Sequence, residues 1–384
     1  MDLELPPQDD SRRLEVRAWL AAHPNPSGKD LAGAGYVVPH WPRPWGLDAE
    51  PMQQLIIDDE LKKAGVQRPI NPIGTGHCGP ILVAHGTDQQ KNRYIPPMLS
   101  GEEIWCQLFS EPEAGSDLAN ASTRAVGEGD VYIVNGQKTW TSLAHDAAFG
   151  ILLARTNADV PKHAGISYFI VDMKSPGVEI QPIVDASGWH NFNNVFFTDV
   201  RVPASNLIGP ENGGWELAKD TLANERVTLS RGGAQWGWGP TAQDLIDLVR
   251  DRGGAPDLVM RQKLAQLYIE GEILRVHGLR MVGAAITGGS APAASVRKAL
   301  ADPHGRDIFR IAKDLAGPAG MLADSGPIGA DAGWWAQGFV FSPALTIGGG
   351  TSEILRNVIG ERILGLPREL EPDANKPWSE TRRR

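Results

Sequence analysis

Three stretches of this sequence hold residues whose types and spacing could do chemistry. The first is Cys106-Gln-Leu-Phe-Ser110-Glu111-Pro112-Glu113-Ala-Gly115-Ser116-Asp117, where an apolar, strand-like run breaks into a turn crowded with hydroxyls and carboxylates. Glu111, Glu113 and Asp117 suit general acid–base work, yet Pro and Gly interleaved with Ser and Asp are equally ordinary turn chemistry. The second is Glu225. Within 215–229, Trp215, Ala218, Leu222, Glu225 and Leu229 share one helical stripe, so this carboxylate interrupts an apolar face. Desolvation there raises a carboxylate's pKa and makes it a proton acceptor near neutral pH; a buried ion pair, with Arg226 or another arginine, is the competing reading. The third is Thr346-Ile-Gly-Gly-Gly350-Thr351-Ser352-Glu353, whose glycines permit close backbone approach just before a Thr or Ser N-cap. Free N–H groups at such a helix start suit a phosphate or an electron-rich heterocycle, and a flexible loop with a normal cap has the same composition.

The elements that must position these residues are legible from patterning. With 384 residues the chain is expected to divide into two or three domains. Residues 1–100 are helical in pattern, broken by Pro-rich loops, and Pro51 suits the first turn of a helix. Residues 101–206 carry short β-type runs at 150–153, 166–171, 178–183 and 194–202, and Asn135-Gly136 between two more runs signals a hairpin. Helical pattern returns in 207–384, with helices expected at 215–229, 241–250, 257–282, 295–315 and 351–364 and an end near Gly365. The expected class is α+β multidomain: an N-terminal α-helical domain, a middle antiparallel β domain and a C-terminal helical bundle. The tail beyond Leu366, ending in three arginines, reads as solvated.

Bulk numbers exclude several functions. A formal charge of -9 and a pI near 5.5 argue against a nucleic-acid binder. Met1-Asp-Leu-Glu lacks the start of a secretory signal and no apolar run is long enough to span a bilayer, so no membrane partner is expected and the cytoplasm is the expected compartment. Cys78 and Cys106, the two cysteines, are expected reduced and buried, too few for a disulfide framework or a cysteine-rich metal site. Tryptophans cluster at Trp41 and Trp45, Trp236 and Trp238, and Trp334 and Trp335, suited to cores, interfaces or a flat apolar ligand.

Four motifs in order, Leu108-Phe-Ser-Glu-Pro-Glu-Ala-Gly-Ser-Asp-Leu118, Asn135-Gly-Gln-Lys-Thr-Trp-Thr-Ser142, Phe196-Phe-Thr-Asp-Val-Arg-Val-Pro203 and Gly350-Thr-Ser-Glu-Ile-Leu-Arg-Asn357, resemble those of the FAD-dependent acyl-CoA dehydrogenases, and the likeness runs over essentially the whole chain. The resemblance implies that Leu108 and Ser110 line the flavin, Ser110 standing where the family usually has a Thr. It implies that Trp140 packs against the flavin, Ser142 serves its N5 edge, and Thr351 and Glu353 meet FAD. It assigns Ser116 to the CoA chain and Arg226 to the substrate site. Many members carry a catalytic Glu just before Gly-Thr in the last motif, where this chain has Gly349. A subgroup that includes isovaleryl-CoA dehydrogenase places the base on the earlier helix, and Asn224-Glu225-Arg226 resembles that site.

The implied reaction is α,β-dehydrogenation of an acyl-CoA to a trans-2-enoyl-CoA. In it Glu225 takes the α proton, hydride goes to FAD N5, and the base's own N–H and a ribityl hydroxyl polarise the thioester; electrons leave to an electron-transfer flavoprotein. An acyl-CoA oxidase using O2 and a non-catalytic, FAD-completing subunit are the alternatives. Two family segments that reach FAD across a dimer are not intact here, reading Asp251-Arg-Gly-Gly-Ala-Pro-Asp257 and Asp314-Leu-Ala-Gly-Pro-Ala-Gly320. The chain is in this respect similar to subunits of actinobacterial α2β2 acyl-CoA dehydrogenases, so either a homotetramer or an α2β2 heterotetramer with a related subunit is implied.

Overall fold

The computed structural model describes residues 6–229, 234–235, 238–286, 292–321 and 330–381, and their side chains except at 226–229, 282–286, 292–293, 319, 321 and 330–334. Helices come first: α1 (Ser11–Ala22), α2 (Gly28–Gly33), α3 (Pro51–Lys63), α4 (Gly79–His85) and α5 (Asp88–Ser100). Pro51 opens α3, where a missing N–H costs nothing, and Thr87 and Gln90 cap α5 reciprocally. Strands β1 (Trp105–Leu108), β2 (Arg124–Glu128), β3 (Val131–Ser142), β4 (Phe149–Arg155), β5 (Ile166–Asp172), β6 (Val178–Ile183), β7 (Phe192–Pro203) and β8 (Leu207–Ile208) form one sheet in the order β6-β7-β3-β2-β4-β5-β8, with β1 beside β4. Helices α6 (Gly214–Leu229), α7 (Ala242–Asp251), α8 (Leu258–Ile286), α9 (Pro292–Ala316), α10 (Ala330–Phe341) and α11 (Ser352–Arg362) follow. Helices, a middle sheet and helices again is the class the patterning predicts.

Two compact units contain the described residues. One draws on Met1–Ile183, Asn191–Thr221 and Glu371–Arg384, the other on Val184–His190 and Leu222–Leu370. Cys106, Leu108, Val134, Leu152, Phe169, Val195 and Val200 form the core of the sheet in the first. Leu245, Leu264, Leu267, Ile308 and Phe309 knit α7, α8 and α9 in the second. Each fully buried Val, Leu, Ile or Phe among them contributes about 1.5–3 kcal/mol. Cys78 and Cys106 are both buried free thiols.

Three expectations are corrected. Asn135-Gly136 is not a hairpin: β3 runs straight through it, pairing with β2 on one side and β7 on the other. Gly136 instead forms a bulge at φ +151°, where a Cβ would meet Thr123 Oγ1 at 2.5 Å, and Asn135 exchanges two 3.0 Å hydrogen bonds with Asp199. The hairpin turn lies earlier, at Gly129-Asp130, with Gly129 at φ +65°. The sheet is also not purely antiparallel, because β1 runs parallel to β4 and Arg124 of β2 pairs in parallel with Arg155 of β4. The chain leaves β1 and re-enters at β4 only after the β2–β3 hairpin, and such a crossover is what a parallel pair requires. Finally, part of the tail returns to the first unit. Trp378 is buried, its Nε1 donates to Asn120 Oδ1 at 2.9 Å and its backbone N–H to Val160 O at 2.8 Å. The three terminal arginines lie outside the described residues.

Candidate functional site

The first unit gathers most of the motif residues around the end of β1. Leu108 is fully buried in the sheet core, and Ser110, just past the strand, is half-buried. The turn that follows closes on itself, with Glu111 and Ala114 exchanging backbone hydrogen bonds of 3.0 and 3.1 Å. Glu111 is not a surface charge. Its carboxylate accepts from Ser122 N and Oγ, from Thr123 N and from the wholly buried Lys138 Nζ at 2.7 Å. Burial pushes its pKa up, but the Lys138 ammonium and the Ser122 and Thr123 donors outweigh burial and hold it at about 2. A carboxylate so committed is a structural anion, not a general base. Glu113, Ser116 and Asp117 are exposed, and Asp117 pairs with Lys162 at 3.0 Å.

Lys138 and its neighbour tie the β1 turn to β3. Lys138 Nζ donates to Phe109 O at 3.0 Å and Thr139 N to Ser110 O at 2.9 Å. Immediately beyond, β3 loses register with β7 between Lys138 and Thr141, and Trp140 sits in the left-handed region at φ +57° with 59% of its surface exposed. Holding a bulky residue there costs on the order of 1–2 kcal/mol. The strain turns the indole out of the sheet, edge-on to Phe192 at 5.9 Å. Thr141 Oγ1 is buried with no hydrogen-bond partner among the described residues, and Ser142 is half-buried beside it. An exposed indole flanked by an unsatisfied hydroxyl fits a flat, polar-edged ring such as a flavin. Trp140→Gly is expected to hold or raise the thermal midpoint, by relieving strain, while the protein loses flavin more readily on dilution; equal flavin retention would remove Trp140 from the cofactor contacts.

A feature that sequence reasoning passed over lies near Ser116. His163, next to Lys162, meets Trp215 at 4.8 Å between ring centroids, and with Asn212 and Gly213 they line a concavity of about 300 Å³. Trp215 enters the helical stripe by spacing, but nothing local in the sequence pairs it with His163.

Among the described side chains of α6, Leu217, Ala218 and Thr221 are buried, so the stripe is displaced from the expected one. Leu222 and Glu225 are both half-buried. Arg226 is helical, with its side chain outside the described residues; Trp236 lies outside them altogether, and Trp238 is 62% exposed. In the second unit Thr351 caps α11, its hydroxyl accepting from Ile354 N at 3.3 Å, after Gly349 and Gly350 at φ +67° and +99°. Glu353 is exposed in the first turn, 3.8 Å from Arg356. Among the described residues no cluster of His, Cys, Asp or Glu could hold a metal ion, and no helix is long and apolar enough to cross a membrane.

Comparison with known proteins covers all of these elements. Residues 12–102, 106–200 and 212–364 match the family models described as the N-terminal, middle and C-terminal domains of acyl-CoA dehydrogenase. The chain is 40% identical over 340 residues to acyl-CoA dehydrogenase FadE34 of Mycobacterium tuberculosis, covering 88% of this chain but 46% of that protein, so it spans less than half the length of that relative. It is 36% identical over 368 residues to acyl-CoA dehydrogenase IpdE1 of Mycolicibacterium smegmatis, covering 93% of this chain and 90% of the relative. Among solved structures, the Tcur3481-Tcur3483 steroid ACAD superposes with a TM-score of 0.80 at 30% identity, over 96% of this chain and 100% of that one. The ChsE4-ChsE5 complex of Mycobacterium tuberculosis does so with a TM-score of 0.77 at 31% identity, again over 96% and 100%.

Proposed function

The chain belongs to the acyl-CoA dehydrogenase family, whose members are flavin-dependent oxidoreductases, and on that premise we propose that it binds FAD and oxidises the α,β bond of an acyl-CoA to a trans-2-enoyl-CoA. The observation that carries the reading is the exposed, strained Trp140 beside the unsatisfied Thr141 hydroxyl, tied by Lys138 and Thr139 to the end of β1. FAD, when bound, supplies the acceptor for the β hydrogen as hydride. The chain's own residues do the rest. Ser110, Trp140 and Ser142 hold and orient the ring, Leu108 only through its backbone because its side chain is buried in the sheet core, and the family resemblance assigns Thr351 and Glu353 to the cofactor as well. Ser116 and the concavity between His163 and Trp215 take the CoA portion, and Arg226 lines the substrate site. Glu225 removes the α proton, the step for which a positioned carboxylate is needed.

Electrons pass to an electron-transfer flavoprotein in the cytoplasm. The altered segments 251–257 and 314–320 favour a related subunit that completes the FAD site in an α2β2 assembly, over a homotetramer. The relatives described as a steroid ACAD and as a two-protein complex support a bulky, steroid-derived acyl group and such a partner. Anaerobic mixing with straight, branched and steroid-side-chain acyl-CoAs, with and without a co-expressed homologous subunit, tests this. Bleaching of the yellow protein by a bulky acyl-CoA is expected, without peroxide release in air. A colourless chain that no acyl-CoA affects, even with a partner, refutes catalysis; stoichiometric peroxide turns the assignment to an oxidase.

A further inference from the structure

A π-helical turn, Gly74–Cys78, runs directly into α4. Such turns are rare and concentrate at functional sites. This one carries His77, 8% exposed, and the chain that follows it, with Cys78, Ile81 and Leu82, is buried. The ring's Nδ1 lies 2.9 Å from Gln107 Oε1 on β1. An amide oxygen only accepts, so Nδ1 carries the hydrogen and Nε2 is left as the ring's acceptor. The mount is rigid. Asn71 Oδ1 accepts from both Gly74 N and Trp105 N at 3.2 Å, its amide donates to Met98 O and Glu103 O at 3.0 Å, and a Cβ on Gly74 would stand 2.5 Å from that side chain.

The pair lies just ahead of Ser110, on the face of β1 away from the sheet core. Cys106 and Leu108 point into the sheet core, so Gln107 and Phe109 share the opposite face. Phe109 meets Tyr168 edge-on at 5.9 Å, and Tyr168 OH lies 2.8 Å from Thr221 Oγ1 in the part of α6 that belongs to the same unit. A buried, hydrogen-bonded imidazole is expensive for a cleft that takes only hydrocarbon, because its desolvation is recovered only through polar partners.

Resting on the acyl-CoA dehydrogenase reading with Glu225 as base, we propose that His77 and Gln107 are specificity-determining residues. Gln107 fixes the imidazole tautomer, and His77 Nε2 accepts a hydrogen bond from a hydroxyl on the acyl group, so hydroxylated acyl-CoAs are preferred to unsubstituted ones of the same skeleton. The test compares kcat/KM for such a pair of alicyclic acyl-CoAs on the complete enzyme. The wild type is expected to favour the hydroxylated member about 10- to 100-fold, a range typical of one satisfied hydrogen bond. His77→Phe brings the ratio to near unity, while Gln107→Glu, which still accepts from Nδ1, preserves it. Because both substrates are measured on one protein, a folding defect lowers both values and leaves the ratio untouched. Retention of the preference in His77→Phe overturns the proposal. So does a wild type that oxidises the unsubstituted acyl-CoA with no preference, a result under which the dehydrogenase reading itself still stands; turnover of neither substrate removes both.

Discussion

Glu225→Gln yields a yellow, folded protein whose bleaching by acyl-CoA is slower than wild type by about 10²- to 10⁴-fold, the range that a positioned general base contributes. The substitution conserves shape and hydrogen-bonding reach and removes only the ability to accept a proton. Because Glu225 is half-buried near the end of α6, neutralising it is expected to change stability little. Rapid mixing of the variant with a competent acyl-CoA, followed at the flavin absorbance, reads the chemical step alone. Undiminished reduction there removes Glu225 as the base. Gly349 offers no second route. It sits at φ +67°, so a Glu placed there pays about 1–2 kcal/mol in backbone strain, and Glu225→Gln/Gly349→Glu is expected to stay inactive.

How much of this was legible in the sequence differs by element, and the differences have physical causes. The helices and most strands show their period because one face of each is apolar. Thr221 breaks that rule: it is fully buried, yet its hydroxyl is satisfied by Tyr168, and hydropathy spacing therefore drew the α6 stripe through Leu222 and Glu225 instead. Asn135-Gly136 has the composition of a two-residue turn. The Asn135–Asp199 exchange across to β7 keeps the strand running through it, and no local pattern reports that partner. In the tail, a single tryptophan anchors a polar segment, which composition averages away. The four motifs of the candidate site were readable as a set; the roles within them were not, since Glu111 differs from Glu113 only by what lies under it.

The buried pair of Glu111 and Lys138 gives the second large effect. Lys138→Met leaves a carboxylate 4% exposed without its cation, and breaking a buried pair from one side costs about 3–5 kcal/mol. The loss is functional as well, because the same ammonium holds Phe109 O beside the Ser110 and Trp140 contacts proposed for the flavin, so flavin retention is expected to fall with stability. Acid titration separates this pair from a generic core defect. Glu111 ionises at about 2 in the folded chain against an ordinary 4.5, so its contribution is complete above pH 4.5 and is lost as pH falls from there toward 2. That displacement corresponds to roughly 3 kcal/mol. In Lys138→Met the folded-state pKa rises, because burial then acts with less opposition, and this acid-dependent contribution shrinks or reverses. Denaturant unfolding at pH 7 and pH 3 checks both statements. A variant as stable as wild type at pH 7, or one that keeps the wild-type decline between the two, shows that the ammonium is not what holds Glu111 ionised.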